Sequence, residues 1–266
     1  MRLNPAALPV VLIAVLLFCA GSILEKKTAA RAGRIGLFLT SVILALPSFL
    51  FSLDYTHLFD HAAWFYQLRA LPYIELVIAG SGLLAGVVSA WFAPETLGER
   101  AAAPVALAVL LAIPFVKPVS NPIELDRLSE KCEGEVCMQT TLSTCGPSSA
   151  ATILKLLGQP SSEKELAREC LTSRGGTEVW YIARAFERRG FHASVQVQSA
   201  NQLSPPSPAI AGVVLPGGAG HFIAIMSQTP EEVMIGDPMN GKLVVKKSDL
   251  ERYYHFTGFF LVIEAK

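Results

Sequence analysis

The sequence predicts a chain in two parts: an all-α, membrane-type region of about four helices over residues 1–117, then an α+β domain over residues 118–266. Three observations predict it. Hydrophobic residues make up 52% of the chain and charged residues only 17%, too apolar for an ordinary soluble domain. That excess lies in the first half, in four stretches without a charged residue. In the second half the apolar spacing changes from helical to strand-like near Phe191, so helices precede strands.

The stretches Ala6–Leu24 and Ile35–Leu53 meet the length needed to cross a bilayer, about 17–25 residues of helix. Leu76–Phe92 just reaches it. Ala101–Val116 is borderline and carries Pro104 and Pro114. Buried core helices are the competing reading, but four such stretches in succession leave hardly any polar face to meet water. Cys19 reads as one more apolar residue of the first stretch.

The loops orient the set. Lys26, Lys27, Arg31 and Arg34 stand against Glu25 in the first loop. The second, Asp54 to Glu75, holds Arg69 against three acids and is rich in interfacial aromatics: Tyr55, Phe59, Trp64, Phe65, Tyr66 and Tyr73. Basic loops stay in the cytoplasm, so the first loop is placed inside and the second outside. Four crossings then put the C-terminal domain outside, whereas three would put it inside.

In that domain, Ala150, Ile153, Leu154 and Leu157 recur at helical spacing, predicting a helix over Cys145–Leu157 that Gly158 ends. Ser162 with Glu165 forms a capping-box pattern opening a second helix through about Leu171. Thr177 is the expected cap of a third, with Val179, Ile182, Ala183 and Phe186 on one face and Gly190 at its end. Strands are predicted at 191–198, 210–215, 222–227, 233–235, 243–246 and 259–263. The Asn240-Gly241 pair marks a tight hairpin.

The run Gln139-Thr-Thr-Leu-Ser-Thr-Cys145-Gly146-Pro147 carries the chemistry. A helix N-terminus bears partial positive charge and favours a thiolate there. An amide six residues upstream can loop back and donate to a carbonyl oxygen under attack. A nucleophile beside an oxyanion donor suggests acyl transfer. The thiol then needs a base, and the domain offers His192, His221 and His255. His221 follows Gly217-Gly-Ala-Gly220 and starts a buried-looking strand. Asp237 ends the next strand, so antiparallel pairing would set it beside His221. Taken singly, Cys145 reads equally as an inert buried thiol, His221 as a strand cap and Asp237 as a turn residue. Their order and placement together favour the chemical reading. His192 and His255 have no such context.

Charges nearly balance across the domain, so there is no basic footprint for nucleic acid. No P-loop, CxxC or HExxH pattern occurs, so no nucleotide, metal or other cofactor is expected. The expected partners are a peptide or protein substrate and the lipid bilayer.

From about Met138 to Val262 the domain resembles the C39 peptidases, papain-like domains that cleave double-glycine leader peptides. The Gln139…Cys145-Gly146 block, the segment Glu165-Leu-Ala…Gly176-Thr177…Ala183…Gly190, Gly220-His221-Phe222 and Gly236-Asp237-Pro238 carry the likeness. His221 follows Cys145 by 76 positions and precedes Asp237 by 16, spacings that fit that family. The resemblance implies Cys145 as nucleophile, His221 as general base and acid, Asp237 as its orienter, and Gln139 sharing the oxyanion hole with the Cys145 backbone N–H. It implies a bacterial cell (inner) membrane protein and, as a partner, an export transporter. In the best-known members the domain precedes a transporter on the cytoplasmic side, whereas here four apolar stretches precede the domain. Two other classes stay open on the residues: a catalytically silent peptide-binding domain serving a transporter, and a thiol acyltransferase or amidase.

Of the other cysteines, Cys132 and Cys137 form either a local disulfide, expected in an oxidising compartment, or two free thiols. Cys170 reads as a core thiol on a helix face.

Overall fold

A computed structural model of the chain describes residues 4–53, 56, 58–59, 62–91, 97–199 and 204–266. Asp54, Tyr55 and Phe92, used above, lie outside the described residues. The chain divides into two compact units, Met1–Asp60 with Tyr73–Ser120, and His61–Pro72 with Asn121–Lys266.

The first unit is helical: α1 (Ala7–Lys27), α2 (Arg31–Leu53), a 3-10 turn (Ile74–Gly80) and, either side of residues outside the description, helices at Ser81–Trp91 and Leu97–Ser120. Four helical segments in it are long and apolar enough to cross a membrane: Ala7–Lys27, Arg31–Leu53, Ile74–Trp91 and Ala101–Ser120. Small residues set their packing. Gly82 lies against the Ala14 carbonyl and Gly86 against the Phe18 carbonyl, where no Cβ would fit. The ends are marked by polar pairs. Asn4 Nδ2 donates to Glu75 Oε1 at 3.4 Å. At the other end of the first segment, Glu25 accepts from Arg34 and, at 2.7 Å, from Trp91 Nε1. The segment Ile74–Trp91 therefore runs from beside the start of α1 to beside its end.

In the second unit, α3 (Ala63–Ala70) comes first in the chain. With the helices above numbered α4 (Ser81–Trp91) and α5 (Leu97–Ser120), there follow β1 (Cys132–Glu133), β2 (Val136–Cys137), α6 (Cys145–Leu156), α7 (Glu163–Glu169) and α8 (Val179–Arg188). Then come β3 (Phe191–Val197), β4 (Ala209–Val214), β5 (Gly220–Gln228), β6 (Glu232–Asp237), β7 (Gly241–Lys246), α9 (Leu250–Tyr253) and β8 (His255–Ala265). The domain is α+β. Its six-stranded antiparallel sheet has the order β3-β8-β4-β5-β6-β7.

Alternation along each strand gives the sheet two apolar faces. On one, Ile210, Ala224, Met226, Leu261 and Ile263 pack with Ala150, Ile153 and Leu154 of α6 and Ile182 and Phe186 of α8. On the other, Ala211, Ile223, Ile225, Ile235, Val245, Phe260 and Val262 cluster with Leu250 of α9.

The expected caps divide. Ser162 Oγ accepts from the Glu165 backbone N–H at 3.1 Å and opens α7. Thr177 does not cap α8; Glu178 holds that position, and the Thr177 hydroxyl instead bonds Thr172 Oγ1 at 2.7 Å. The Asn240-Gly241 turn is wider than a two-residue hairpin. Asp237 pairs with Gly241, leaving Pro238, Met239 and Asn240 in the loop, with Gly241 in the left-handed region at φ 85°. Cys132 and Cys137 are bonded as a disulfide closing the β1–β2 ribbon. Cys170 is a buried thiol, and burial first of all pushes it up to about 12, so it stays protonated.

The segment His61–Pro72 falls, in sequence, between two membrane-type stretches, yet it packs within the second unit. Arg184 of α8 donates to the Arg69 and Ala70 carbonyls at 2.6 and 3.3 Å, closing the C-terminal end of α3. The Arg69 guanidinium lies 4.1 Å from the Trp180 ring centre. Tyr66 meets Phe259 of β8 edge-on at 5.1 Å.

Candidate active site

Cys145 is the first residue of α6, as its spacing predicted. Three contacts fix that helix start. Ser149 Oγ donates to the Phe222 carbonyl at 3.0 Å, tying α6 to the strand residue after His221. Thr152 Oγ1 accepts from the Cys137 backbone N–H at 2.9 Å, tying α6 to the disulfide ribbon. Gly146 leaves no space for a Cβ, which would meet Ile182 Cδ1 at 2.8 Å and Thr177 Cβ at 3.3 Å. A side chain there would have to displace the end of Ile182 on α8 and crowd Thr177.

His221 lies on β5 and Asp237 at the end of β6, and these strands pair antiparallel. Both side chains are buried, at 4% and 1% exposure. His221 Nε2 and Asp237 Oδ1 are 3.0 Å apart. Cys145 lies close enough to the same ring to act on its charge. Burial pulls the imidazole down, but the hydrogen bond to Asp237 and the nearby Cys145 outweigh it and raise His221 to about 9. Burial opposes ionisation of Asp237 too, yet its donors hold it down at about 2. A charged imidazole between a thiol and a fixed carboxylate suits it to hold the thiol's proton.

The Asp237 carboxylate is fully engaged. Oδ1 also accepts from the Met239 backbone N–H at 2.9 Å, and Oδ2 accepts from Asn240 Nδ2 at 2.7 Å and from the Tyr254 hydroxyl at 2.9 Å. Sequence reasoning missed both side chains. Asn240 had a local signal, since an Asp-Pro-x-Asn turn folds its polar groups back on itself. Tyr254 had none; it is brought in by β8 from 17 residues away.

Gln139 sits on the segment leading to α6. Its backbone N–H donates to the Pro238 carbonyl at 2.9 Å, next to Asp237. Its side-chain Nε2 donates to the Thr141 carbonyl at 2.9 Å. A carboxamide nitrogen has two hydrogens, so this bond holds the group and leaves one to donate. Gln139 Oε1 is buried without a hydrogen-bond partner among the described residues. His192 and His255 are exposed, and His192 pairs with Glu187. Among the described residues no cluster of three or more His, Cys, Asp or Glu is placed to hold a metal.

Comparison with known proteins finds likenesses over about half of the chain. The chain is 32% identical over 129 residues to an uncharacterized protein of Methanothermobacter thermautotrophicus, covering 48% of this chain and 87% of that one. It is 26% identical over 135 residues to the lactococcin-G-processing and transport ATP-binding protein LagD of Lactococcus lactis, covering 50% of this chain but 19% of that protein. Among solved structures, a double glycine motif protease from an AMS/PCAT transporter, in complex with the leader peptide, matches with a TM-score of 0.43 at 22% identity, over 49% of this chain and 91% of that one. The peptidase domain of Streptococcus ComA, a bi-functional ABC transporter, matches with a TM-score of 0.41 at 19% identity, over 49% and 98%. The family model for the peptidase C39 family matches residues 134–266, half of the chain and the whole of the site just described. The chain belongs to the peptidase C39 family.

Proposed function

We propose that this chain is a membrane-anchored cysteine endopeptidase whose catalytic residues are Cys145, His221, Asp237 and Gln139. The observation that carries the reading is the buried His221–Asp237 pair, 3.0 Å apart, with the Cys145 thiol near enough to raise the same ring. Residues from one helix and two strands meet there, which packing alone does not require.

In this mechanism His221 takes the thiol proton and Cys145 Sγ attacks a peptide carbonyl carbon. The free N–H of Gln139 Nε2 and the Cys145 backbone N–H stabilise the oxyanion. As the C–N bond breaks, the imidazolium gives its proton to the departing amine, leaving a thioester. Water, deprotonated by His221, attacks the thioester and releases the acid, and the proton returns to sulfur. Asp237 stays ionised throughout and holds the ring.

The substrate class we assign is a peptide cut after a double-glycine-type leader, supported by the name of the protease noted above. The peptidase domain works outside the cytoplasm. Three observations support that side. His61–Pro72 belongs to the same compact unit as Asn121–Lys266, so the loop after the second membrane segment and the C-terminal domain share a side, which four crossings satisfy and three do not. Lys26, Lys27, Arg31 and Arg34 assign the opposite side to the cytoplasm. The Cys132–Cys137 disulfide fits an oxidising compartment. An export transporter that delivers the substrate would be a separate partner.

The test is cleavage of a peptide containing a Gly-Gly leader by the full chain in detergent, followed by mass spectrometry. Wild type should give one cut and Cys145→Ala none, at an unchanged melting temperature. Equal cleavage by Cys145→Ala would end the proposal. Weighing the acyl-enzyme separates a peptidase, which hydrolyses it, from an acyltransferase, which passes the acyl group on.

A further inference from the structure

We propose that Tyr254 is a positioning residue of this site, holding Asp237 Oδ2 through its hydroxyl so that Oδ1 stays turned toward His221. The proposal rests on the catalytic reading given above. A carboxylate on a two-bond side chain rotates readily about its last bond, and only fixed donors on both oxygens stop it. Asp237 has such donors on each oxygen. Two of them, the Met239 N–H and Asn240 Nδ2, come from its own turn and move with it. Tyr254 arrives from a different element, immediately before β8, and so references the carboxylate to the body of the sheet.

Tyr254 is itself held. Its backbone N–H donates to the Leu250 carbonyl at 2.9 Å, and its ring lies edge-on to Phe256 at 6.2 Å. Leu250 and Phe256 are buried in the cluster on the far side of the sheet from α6. Burial, and then the negative charge of Asp237, raise the Tyr254 hydroxyl well above its usual range, so it remains a donor at any working pH. The groups that face the carboxylate are His221 from β5, the Met239 N–H and Asn240 from the β6–β7 turn, and Tyr254 from the segment before β8. Of these, His221 alone carries a charge.

Removing the hydroxyl leaves Oδ2 with one donor, from the carboxylate's own turn. The carboxylate then supports the imidazolium less well. The probe is alkylation of Cys145 by iodoacetamide in the full chain, which needs no peptide substrate, together with an NMR titration of the His221 ring. Tyr254→Phe keeps the ring and its packing. It should slow alkylation at neutral pH by about tenfold to a hundredfold, the range for one charge-assisted hydrogen bond. It should also move the His221 midpoint down from about 9. Combined with Asp237→Ala, Tyr254→Phe should add nothing further. An unchanged His221 midpoint in Tyr254→Phe, or an equal loss in the Asp237→Ala background, would overturn the proposal. Should Tyr254→Phe lower the melting temperature by more than a few degrees, Asn240→Ala serves as the comparison, because it removes the other Oδ2 donor. An Asn240→Ala midpoint that falls while the Tyr254→Phe midpoint stays would also overturn it. The peptide-cleavage test of Cys145→Ala fails or succeeds independently of these measurements.

Discussion

His221 and Asp237 make the site's pH dependence a matter of one ion pair. The folded state raises His221 to about 9. Its stabilising contribution is therefore complete below the ordinary histidine value of about 6.5 and is lost as pH rises through about 9. Asp237 is held at about 2, so its contribution is complete above the ordinary value of about 3.9 and is lost as pH falls toward 2. Melting temperature should be flat between roughly pH 4 and 6.5 and fall on both sides, and Asp237→Asn should flatten both limbs. A wild-type curve as flat as that of Asp237→Asn would refute the pairing. Two neighbours extend the argument. His221→Ala should slow alkylation of Cys145 at neutral pH; equal rates would mean that the ring does not act on the thiol. Gly146→Ala should lower activity a few-fold at most, since the terminal methyl of Ile182 must give way to its Cβ. A larger loss would show that α6 itself shifts. At this scale the sequence was largely readable. Cys145 at a helix start and His221 beside Asp237 on paired strands could be read from their spacing, whereas Tyr254 stayed hidden because only tertiary pairing of β8 brings it near Asp237.

Among the elements, short-range signals were the readable ones. The Ser162 cap is local, formed by an oxygen and an N–H three residues apart, and the sequence showed it. Ser162→Ala should destabilise the domain by about 1 kcal/mol, measured as a fall in denaturation midpoint; no change would mean that α7 does not need its cap. Thr177 failed as a cap because Thr172 competes for its hydroxyl, a contact set by the loop rather than by spacing. β8 was read as five residues and spans His255–Ala265, because pairing with both β3 and β4 extends it past its apolar centre. The helix α3 was not foreseen as part of the domain. Its sequence reads as interfacial loop, and only its partners Arg184, Trp180 and Phe259 reveal where it belongs. Arg184→Ala removes a donor from two carbonyls at its end and should lower the melting temperature of the domain by several degrees; an unaltered value would make the contact incidental.

For the whole molecule, four apolar stretches and a charge bias gave the plan, but parity could not be read from hydropathy, because the fourth stretch with its prolines was borderline. The grouping of His61–Pro72 with the C-terminal domain supports the even number of crossings proposed above. Reporters placed in 61–72 and after Lys266 should both report the non-cytoplasmic side, and opposite signals would rule out an even number of crossings.

Under the membrane anchoring proposed above, α3 also bears on release of the domain. A cut between Ser120 and Asn121 would sever the covalent link, yet the freed fragment would still grip α3, which is chained to the segments on either side of it. Shedding would require a second event that unseats Arg184 and Tyr66, so proteolytic nicking by itself should yield a fragment that sediments with the lipid until denaturant is added.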